Sequence, residues 1–415
     1  MRFSRLGALV VVAMVVAAIQ ITIQIPNVAQ ETAAVSADLG KHGVELKETQ
    51  MKASTASQIA KEKELSDFKA KMDAKDNDFF TYLTFLMNTY DAVEAIAGAG
   101  EIKPGNHSWV PGVQPAVDES FFGAQPVLDG KPHVVSRLCD PAEMSNERSA
   151  LNVVRRDMLK KQHHHRKNWE FAVIIEALEH FGLLGEGKRG LGFGCGMEPL
   201  ASYFVQRGAR VVVTDAPAGG EWTKTRQHAG ELRKTHDHRM VDWKIYSEKA
   251  TFQALDMNNI PSALLRGDFD FTWSAGSLEH VGSEELSVKF IATQLLALRP
   301  GGVAAHTTEF VISDSTLQNN IQCSWMNVFT KPVWERIIKA VNDNSHGEFQ
   351  VIGPMDYRIG LPNATQLDYM GSYRGDDHFR LQAACGEPNF IHTSALLLIR
   401  RRTAQELSKL NAEEK

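Results

Sequence analysis

The sequence has little cysteine and no excess of positive charge, and both shortages narrow the range of functions. Only 4 of the 415 residues are Cys, which excludes a disulfide scaffold, and no CxxC pair is present to build a cysteine-based zinc module. The 45 Lys and Arg are outnumbered by 50 Asp and Glu, for a formal net charge of −5. Without a basic excess to neutralise a phosphate backbone, we expect no nucleic-acid partner.

The apolar content is sufficient for a large core. Hydrophobic residues make up 43% of the sequence. Together with glycine they reach about half of it, as in ordinary globular proteins. At this length we expect one large domain with additional segments, and no internal repeat indicates a solenoid.

The N-terminus carries a long apolar run. Arg2 and Arg5 precede the run, which extends from Leu6 to Ile25 and ends at Pro26. A helix of about 20 residues spans the hydrocarbon core of a bilayer. We therefore predict a signal anchor over residues 1–30, with a cleaved signal peptide and a buried core helix as the alternatives. The charges before the run place the N-terminus in the cytosol and the remaining chain in a lumen or periplasm.

Residues 31–98 are predicted to form a helical stalk. Apolar residues recur there on one seven-residue register, at Val44, Met51, Leu65, Met72, Phe79 and Leu86. A weak coiled coil, which would give a homo-oligomer, and a single solvated helix both fit this pattern. Glycine and proline then mark an irregular linker over 99–137, and residues 403–415 form a polar tail.

Between residues 138 and 402, strand-like apolar runs alternate with helical patterns. The predicted strands are Arg189–Phe193, Arg210–Thr214, Thr251–Leu255, Phe269–Trp273, Gly302–Thr308, Phe379–Ala384 and His392–Arg401. The predicted helices are Trp169–Phe181, Leu200–Arg207, Glu284–Leu298 and Pro332–Val341. Alternation of this kind predicts a doubly wound α/β domain with a mostly parallel sheet, which the last two strands would close as an antiparallel hairpin. The basic and His-rich run at 160–167 is interpreted as a solvated helix face.

A glycine-rich turn follows the first predicted strand. Gly192, Gly194 and Gly196 are closely spaced, and a helical pattern begins at Leu200. Glycine lets the backbone turn sharply and approach a ligand closely. A tight turn without a ligand is the alternative, and a nicotinamide-binding fold would prefer the spacing G-x-G-x-x-G, which is absent here.

Two acids follow the next two predicted strands. Asp215 ends the run from Arg210, where ribose hydroxyls are held in many nucleoside-binding folds. Asp256 ends the run from Phe252, where an adenine amino group would be recognised. Taken separately, each acid is also compatible with a turn or cap residue.

With these residues in order, the chain resembles the class I S-adenosylmethionine (SAM)-dependent methyltransferases. The resemblance rests on the glycine-rich turn, the two acids, and the segments Trp273–Ser283, Leu298–Gly302, His306–Phe310 and Thr393–Arg402. Within that superfamily the chain is similar to a branch associated with carbohydrate-modifying enzymes. The resemblance covers residues 138–402 and implies the doubly wound fold and SAM as cofactor. It also implies a cofactor site made of Gly192, Gly194, Gly196, Glu198, Asp215, Asp256 and Ser274.

One position departs from the family pattern. Most of the superfamily carries an acid where this chain has Gly192, and that acid helps to orient the methionine part of SAM. Glu198 or a backbone carbonyl is then left to take this role. A non-catalytic, methyltransferase-like binding or scaffold protein is the alternative that this departure keeps open.

The catalytic candidates follow the fourth and fifth strands of the domain. Methyl transfer to a hydroxyl is helped by a general base, and His280, preceded by Glu279, is suited to that role near neutral pH. His306 is a second candidate. No metal is expected, although Glu279 and His280 with a third ligand are the alternative. The predicted function is O-methylation of a glycan or another hydroxyl-bearing acceptor by a membrane-anchored enzyme.

Overall fold

The computed structural model describes a mixed α/β domain in the C-terminal three quarters of the chain. The described residues are 117–123, 131–140, 143, 151, 154, 166–219, 227–322, 326–344, 347–359, 368–369, 381–384 and 389–413. The predicted anchor, the stalk and the first part of the linker lie outside them. Among the described residues, no helix is long and apolar enough to span a membrane.

Helices and strands alternate from β1 to β4, and runs of consecutive strands follow later in the chain. The helices are α1 (Arg166–His180), α2 (Leu200–Gln206), α3 (Trp243–Lys249), α4 (Glu284–Leu295), α5 (Lys331–Asn344) and α6 (Ala404–Glu413). The first six strands are β1 (Arg137–Leu138), β2 (Arg189–Gly192), β3 (Arg210–Asp215), β4 (Ala250–Ala254), β5 (Phe269–Ala275) and β6 (Leu298–Val311). The others are β7 (Ile321–Gln322), β8 (Asn327–Val328), β9 (Phe349–Val351), β10 (Asp368–Tyr369), β11 (Leu381–Ala384) and β12 (Asn389–Arg401).

Ten of the described strands form one large sheet, and β7 and β8 pair antiparallel in a second, two-stranded one. The order of the large sheet is β10-β11-β12-β6-β5-β2-β3-β4, and β1 and β9 both pair with β12. Strands β4, β3, β2, β5 and β6 are mutually parallel, whereas β12 is antiparallel to β6 and β11. The order reverses at β2, whose neighbours are β3 and β5. This arrangement confirms the predicted mostly parallel α/β sheet with an antiparallel pair of strands at its other edge.

The centre of the sheet is buried on both faces. Every residue of β5 is buried, as parallel strands covered by helices require. Phe271 and Trp273 face Phe204 of α2, with ring centroids 5.2 and 5.0 Å from it. On the other face, Phe290 of α4 packs edge-on against Phe193 at 5.1 Å.

Several elements were not predicted from the sequence. Helix α3 and strands β1 and β9 are short, and α6 lies within the segment predicted to be a polar tail. Part of the predicted linker is also packed against the domain. Phe121 is fully buried, and its ring meets Phe310 at 6.2 Å between centroids.

Candidate functional site

The predicted glycine-rich turn leads from β2 into α2 and is tightly built. Gly194 and Gly196 have φ angles of +57° and +50°, which side-chain-bearing residues rarely adopt. A Cβ atom on Gly194 would lie 2.6 Å from Ser277 Oγ, and one on Gly196 would lie 2.8 Å from the carbonyl oxygen of Gln227. Ser277 Oγ donates to the Gly194 carbonyl at 3.0 Å, which ties the turn to the segment after β5. The two glycines are therefore required by the backbone geometry.

Gly192 lies beneath bulky neighbours. A Cβ atom there would be 2.3 Å from both Cys195 Sγ and an indole carbon of Trp273. Its carbonyl accepts a hydrogen bond from Thr214 Oγ1 at 2.7 Å. The acid that the family places at this position has no room in this chain.

Asp215 ends β3 beside the glycine-rich turn. Its two carboxylate oxygens accept hydrogen bonds from the backbone N–H groups of Ala216 and Ala229, at 2.7 and 2.8 Å. The residue is 8% exposed. The carboxylate therefore fixes the loop that returns to the turn, and each oxygen keeps a second lone pair for a ligand hydroxyl.

Asp256 lies in the turn after β4. The side chain is exposed, and it accepts hydrogen bonds from Asn258 N at 2.9 Å and Asn259 Nδ2 at 3.0 Å. Asn258 Nδ2 in turn donates to the Val281 carbonyl at 3.0 Å. Met257 lies close to the glycine-rich turn, because a Cβ on Gly194 would be 3.7 Å from its sulfur. The loops after β4 and β5 thus meet at the turn, as the sequence order of the motifs predicts.

Glu198 lies within the turn, just before α2. Its Oε2 atom is buried and has no hydrogen-bond partner among the described residues. Burial raises the pKa of this carboxyl well above its ordinary value, while the charge of Lys167 opposes the rise. An unsatisfied buried carboxyl oxygen is costly to a fold unless it finds a partner.

Ser274 and His306 face each other on the α4 side of the sheet. Ser274 Oγ and His306 Nδ1 are 2.8 Å apart, and both residues are fully buried. The imidazole ring packs edge-on against Phe290 at 5.8 Å between centroids. Burial lowers the pKa of His306 to about 3, so the ring is neutral. These two predicted site residues lie together in the core.

Glu279 and His280 belong to a 3₁₀ turn, Leu278–His280, that follows β5. Glu279 is 1% exposed and accepts a hydrogen bond from Thr308 Oγ1 at 2.9 Å. Burial and the nearby charge of Glu309 raise its pKa to about 8. His280 Nε2 lies 3.9 Å from Glu279 Oε1, and 16% of its side chain is exposed. The pair thus presents an imidazole towards solvent with a carboxyl group behind it.

A set of buried charged side chains lies beside these residues. It was not predicted from the sequence. Arg166 of α1 is 2.9 Å from Glu170 Oε1 and 2.5 Å from Glu309 Oε1. Lys167 Nζ donates to Glu170 Oε2 at 2.9 Å and to the Ala275 carbonyl at 3.2 Å. His392 of β12 lies 3.1 Å from Glu309 Oε2. The interpretation of the basic run as a solvated face is therefore wrong for Arg166, which is 6% exposed.

The site thus collects residues from the carboxyl ends of four parallel strands. The structure brings together the glycine-rich turn, Asp215, Glu198 and the Glu279–His280 pair, and it places Ser274 and His306 within the core. Across the described part of the chain, no group of three His, Cys, Asp or Glu side chains is arranged to hold a metal ion.

Comparisons with known proteins give structural likeness at low identity. No family model and no curated protein matches the sequence. A SAM-dependent methyltransferase from Clostridium acetobutylicum is 13% identical, with a TM-score of 0.35 over 60% of this chain and 96% of that one. The [4+2]-cyclase SpnF is 13% identical, with a TM-score of 0.36 over 65% of this chain and 100% of that one.

A further similar structure contains a ligand. Magnesium protoporphyrin IX methyltransferase from Synechocystis, with bound SAH, is 13% identical, with a TM-score of 0.33 over 57% of this chain and 83% of that one. Because these identities are low, the similarity does not assign a function, which has to be inferred from this chain's own residues.

Proposed function

We propose that the chain is a SAM-dependent methyltransferase. The observation that carries the proposal is the meeting of the glycine-rich turn with Asp215 at the point where the strand order of the parallel sheet reverses. Ligands bind at such switch points, outside the carboxyl ends of the strands. The sequence resemblance, which covers the same domain, identifies the ligand as SAM.

The residues present fit this cofactor. Gly194 and Gly196 let the backbone approach it closely, and Asp215 keeps lone pairs for the ribose hydroxyls. Asp256 lies in the loop assigned to the adenine. When bound, SAM supplies an electrophilic methyl group on a sulfonium sulfur.

The chain's own part in the reaction is to position the acceptor and to take its proton. Methyl transfer is an in-line displacement in which the acceptor oxygen forms a bond to the methyl carbon as the bond from that carbon to sulfur breaks. His280, the more exposed member of its pair, accepts the hydroxyl proton, and the Glu279 carboxyl group lies behind it, 3.9 Å from the ring. His306 is the second candidate base, although burial and a depressed pKa make it less suited to proton transfer.

The proposal also includes a glycan acceptor, a membrane anchor and the compartment of the catalytic domain. The resemblance to a carbohydrate-associated branch supports a glycan hydroxyl as acceptor. The apolar run over residues 6–25 supports a single-pass anchor, with the N-terminus in the cytosol and the catalytic domain lumenal or periplasmic. The seven-residue register between residues 44 and 86 supports homo-oligomerisation through the stalk.

Calorimetric titration tests the cofactor. SAM and NAD are titrated separately into the full chain in detergent micelles, beside Asp215→Asn and the matched control Asp268→Asn, whose carboxylate is 42% exposed at the opposite end of β5. We expect SAM to bind and NAD not to bind, with SAM affinity weakened about tenfold or more in Asp215→Asn alone. Absence of SAM binding to the folded wild type contradicts the proposal, and preference for NAD would instead indicate an oxidoreductase.

A methyl-transfer assay distinguishes an active methyltransferase from a non-catalytic binding or scaffold protein. Transfer of a radiolabelled methyl group from SAM to a panel of oligosaccharides is measured for the wild type and for His280→Ala. Binding of SAM without transfer to any hydroxyl acceptor would favour a binding or scaffold protein. Transfer that is lost in His280→Ala, with SAM affinity retained, supports the assigned base.

A further inference from the structure

Two carboxyl–imidazole pairs flank the end of β6. Thr308 and Glu309 are consecutive in this strand, so their side chains lie on opposite faces of the sheet. Thr308 Oγ1 donates to Glu279, the carboxyl group beside His280. On the other face, Glu309 Oε2 lies 3.1 Å from Nδ1 of His392. Because β12 is antiparallel to β6, its first residues adjoin the last ones of β6, and this second pair belongs to the same carboxyl edge of the sheet.

The second pair and its neighbour Arg166 contain several unsatisfied polar atoms. Both ring nitrogens of His392, together with Glu309 Oε2 and Arg166 Nε, are buried without a hydrogen-bond partner among the described residues. The imidazole and the carboxylate are close, but they are not aligned for a hydrogen bond. A polar cluster with a purely structural role is normally satisfied internally, because unpaired buried groups are costly. These unpaired atoms therefore indicate a polar ligand.

The charges around the pair are already matched, which favours a neutral ligand. Arg166 lies 2.9 Å from Glu170 Oε1 and donates to Ser394 Oγ at 3.0 Å. Its second terminal nitrogen lies 2.5 Å from Glu309 Oε1. A phosphate or carboxylate ligand would have to displace these carboxylates from the guanidinium. A hydroxyl group both donates and accepts, so it can satisfy a carboxylate oxygen and an imidazole nitrogen together.

The pair is placed where an acceptor molecule would meet it. Arg166 and Glu309 are each 6% exposed, so the cluster reaches the protein surface, with His392 fully buried behind them. Glu309 lies near enough to Glu279 for its charge to act on that carboxyl group. One acceptor can therefore contact both carboxyl–imidazole pairs.

We propose that Glu309 and His392 bind a hydroxyl group of the acceptor other than the one that is methylated. The inference rests on the proposed function and deepens it. The bound hydroxyl donates to Glu309 Oε2, and its oxygen accepts from an imidazole N–H of His392. Arg166 holds the Glu309 carboxylate in place. The acceptor is consequently a polyhydroxylated molecule, such as a sugar, and a simple alcohol would be a poor substrate.

Acceptors that lack single hydroxyl groups test this assignment. The probes are the methyl glycosides of glucose, galactose and mannose, together with the derivatives of each that lack one hydroxyl. Transfer of a radiolabelled methyl group from SAM is measured with the full chain in detergent micelles. The proteins are the wild type, His392→Leu and His392→Gln, whose amide can still donate and accept. SAM affinity is measured separately by calorimetry.

A matched control comes from another carboxyl–imidazole pair. His133 Nε2 lies 3.8 Å from Asp356 Oδ2, beside β1 rather than at the end of β6. His133→Leu therefore removes a half-buried imidazole from a different place in the domain. Thermal unfolding verifies that each variant is folded, and Glu309→Gln is a second variant of the same subsite that decides the question if His392→Leu does not fold.

In the wild type, we expect the loss of one particular hydroxyl that is not itself methylated to lower kcat/KM about tenfold or more. His392→Leu should lower kcat/KM for the intact glycoside to a similar extent. Loss of the same hydroxyl should then change kcat/KM of His392→Leu less than about twofold, because its partner is already absent. His392→Gln should recover part of the activity, SAM affinity should be unchanged, and His133→Leu should behave as the wild type does.

Three results would overturn the assignment. The first is a wild type that methylates a glycoside without depending on any second hydroxyl. The second is a His392→Leu variant that keeps the full discrimination, or that loses SAM affinity as much as acceptor kcat/KM. The third is a wild type that binds SAM but methylates none of the glycosides. A folded wild type that does not bind SAM would instead refute the proposed function itself.

Discussion

The indole ring of Trp273 occupies the space that a side chain on Gly192 would need. The nearest indole carbon would lie 2.3 Å from a Cβ atom at that position. Trp273 is itself held by Phe204 and Phe271, at 5.0 and 5.7 Å between ring centroids. The glycine at the end of β2 is therefore a consequence of aromatic packing on the α2 side of the sheet.

Placing an acid at this position, as in the methyltransferases that the sequence resembles, should consequently damage the fold. We expect Gly192→Asp to reduce the free energy of unfolding by more than about 3 kcal/mol, because it overpacks the core and buries a charge. Urea denaturation followed by fluorescence measures the change. Gly230→Asp is the control, since that position is exposed and a Cβ there would lie 3.4 Å from a flexible His228 ring. Equal stability of the wild type and Gly192→Asp would show that the core can accommodate the acid.

The sheet was predictable because its central strands are rich in apolar residues, as is typical of parallel strands covered on both faces. The predicted strand Thr251–Leu255 is observed as Ala250–Ala254, and Arg210–Thr214 as Arg210–Asp215. Short elements such as β9, with three residues, carry too few positions for a periodic pattern. Their existence depends on pairing with β12, which sequence patterns do not encode.

The candidate site was predictable only in part. Asp215 and the glycines follow from their places at strand ends, because parallel strands align those ends at one edge. Arg166 and Glu170 could not be found in this way, since polar residues on a helix are normally solvated. Their burial depends on Glu309 and Ser394, which are more than 130 residues distant and reach them through tertiary packing.

The raised pKa of Glu279 predicts an unusual dependence of stability on pH. Its folded-state pKa is about 8 against an ordinary value of 4.5, so folding favours the protonated carboxyl group. The stabilisation linked to this proton is complete below pH 4.5 and is lost as the pH rises through about 8. The titratable groups that act on Glu279 include Glu309, Lys167, Glu170, Arg166, Glu198 and His280.

Glu279→Gln removes this titration. Relative to the variant, the wild type should lose up to about 1.4 kcal/mol of unfolding free energy per pH unit between pH 5.5 and 7.5. Urea denaturation at pH 5.5, 6.5, 7.5 and 8.5 measures the difference, and Glu248→Gln, at an exposed position, serves as the control. A difference that is constant with pH would mean that Glu279 titrates at its ordinary pKa.

The apolar run at the N-terminus predicts tight membrane association. Charges are costly at the centre of a spanning helix, by about 2.5–3.5 kcal/mol each on translocon-insertion scales. The double substitution Val12→Arg and Val16→Arg should therefore shift the full chain from the carbonate-resistant membrane pellet to the supernatant. Ser4→Arg, which adds to the charges before the run, should leave it in the pellet. Release of the wild type by carbonate would contradict the anchor.

The buried ion pairs of Arg166 should contribute much more to the free energy of unfolding than an ion pair at the surface does. Arg166 contacts both Glu170 and Glu309, and replacing it with Met removes the guanidinium that these two buried carboxylates share. We expect Arg166→Met to cost about 3–5 kcal/mol of unfolding free energy. The Arg239–Asp237 pair, whose arginine is 54% exposed, offers the comparison, and Arg239→Met should cost no more than about 1 kcal/mol. Adding Glu309→Gln to Arg166→Met should recover part of the loss, because it removes one of the unpaired charges. Urea denaturation of the wild type, the two single variants and the double variant measures these free energies of unfolding. Equal losses in Arg166→Met and Arg239→Met would show that water reaches Arg166 and its two glutamates.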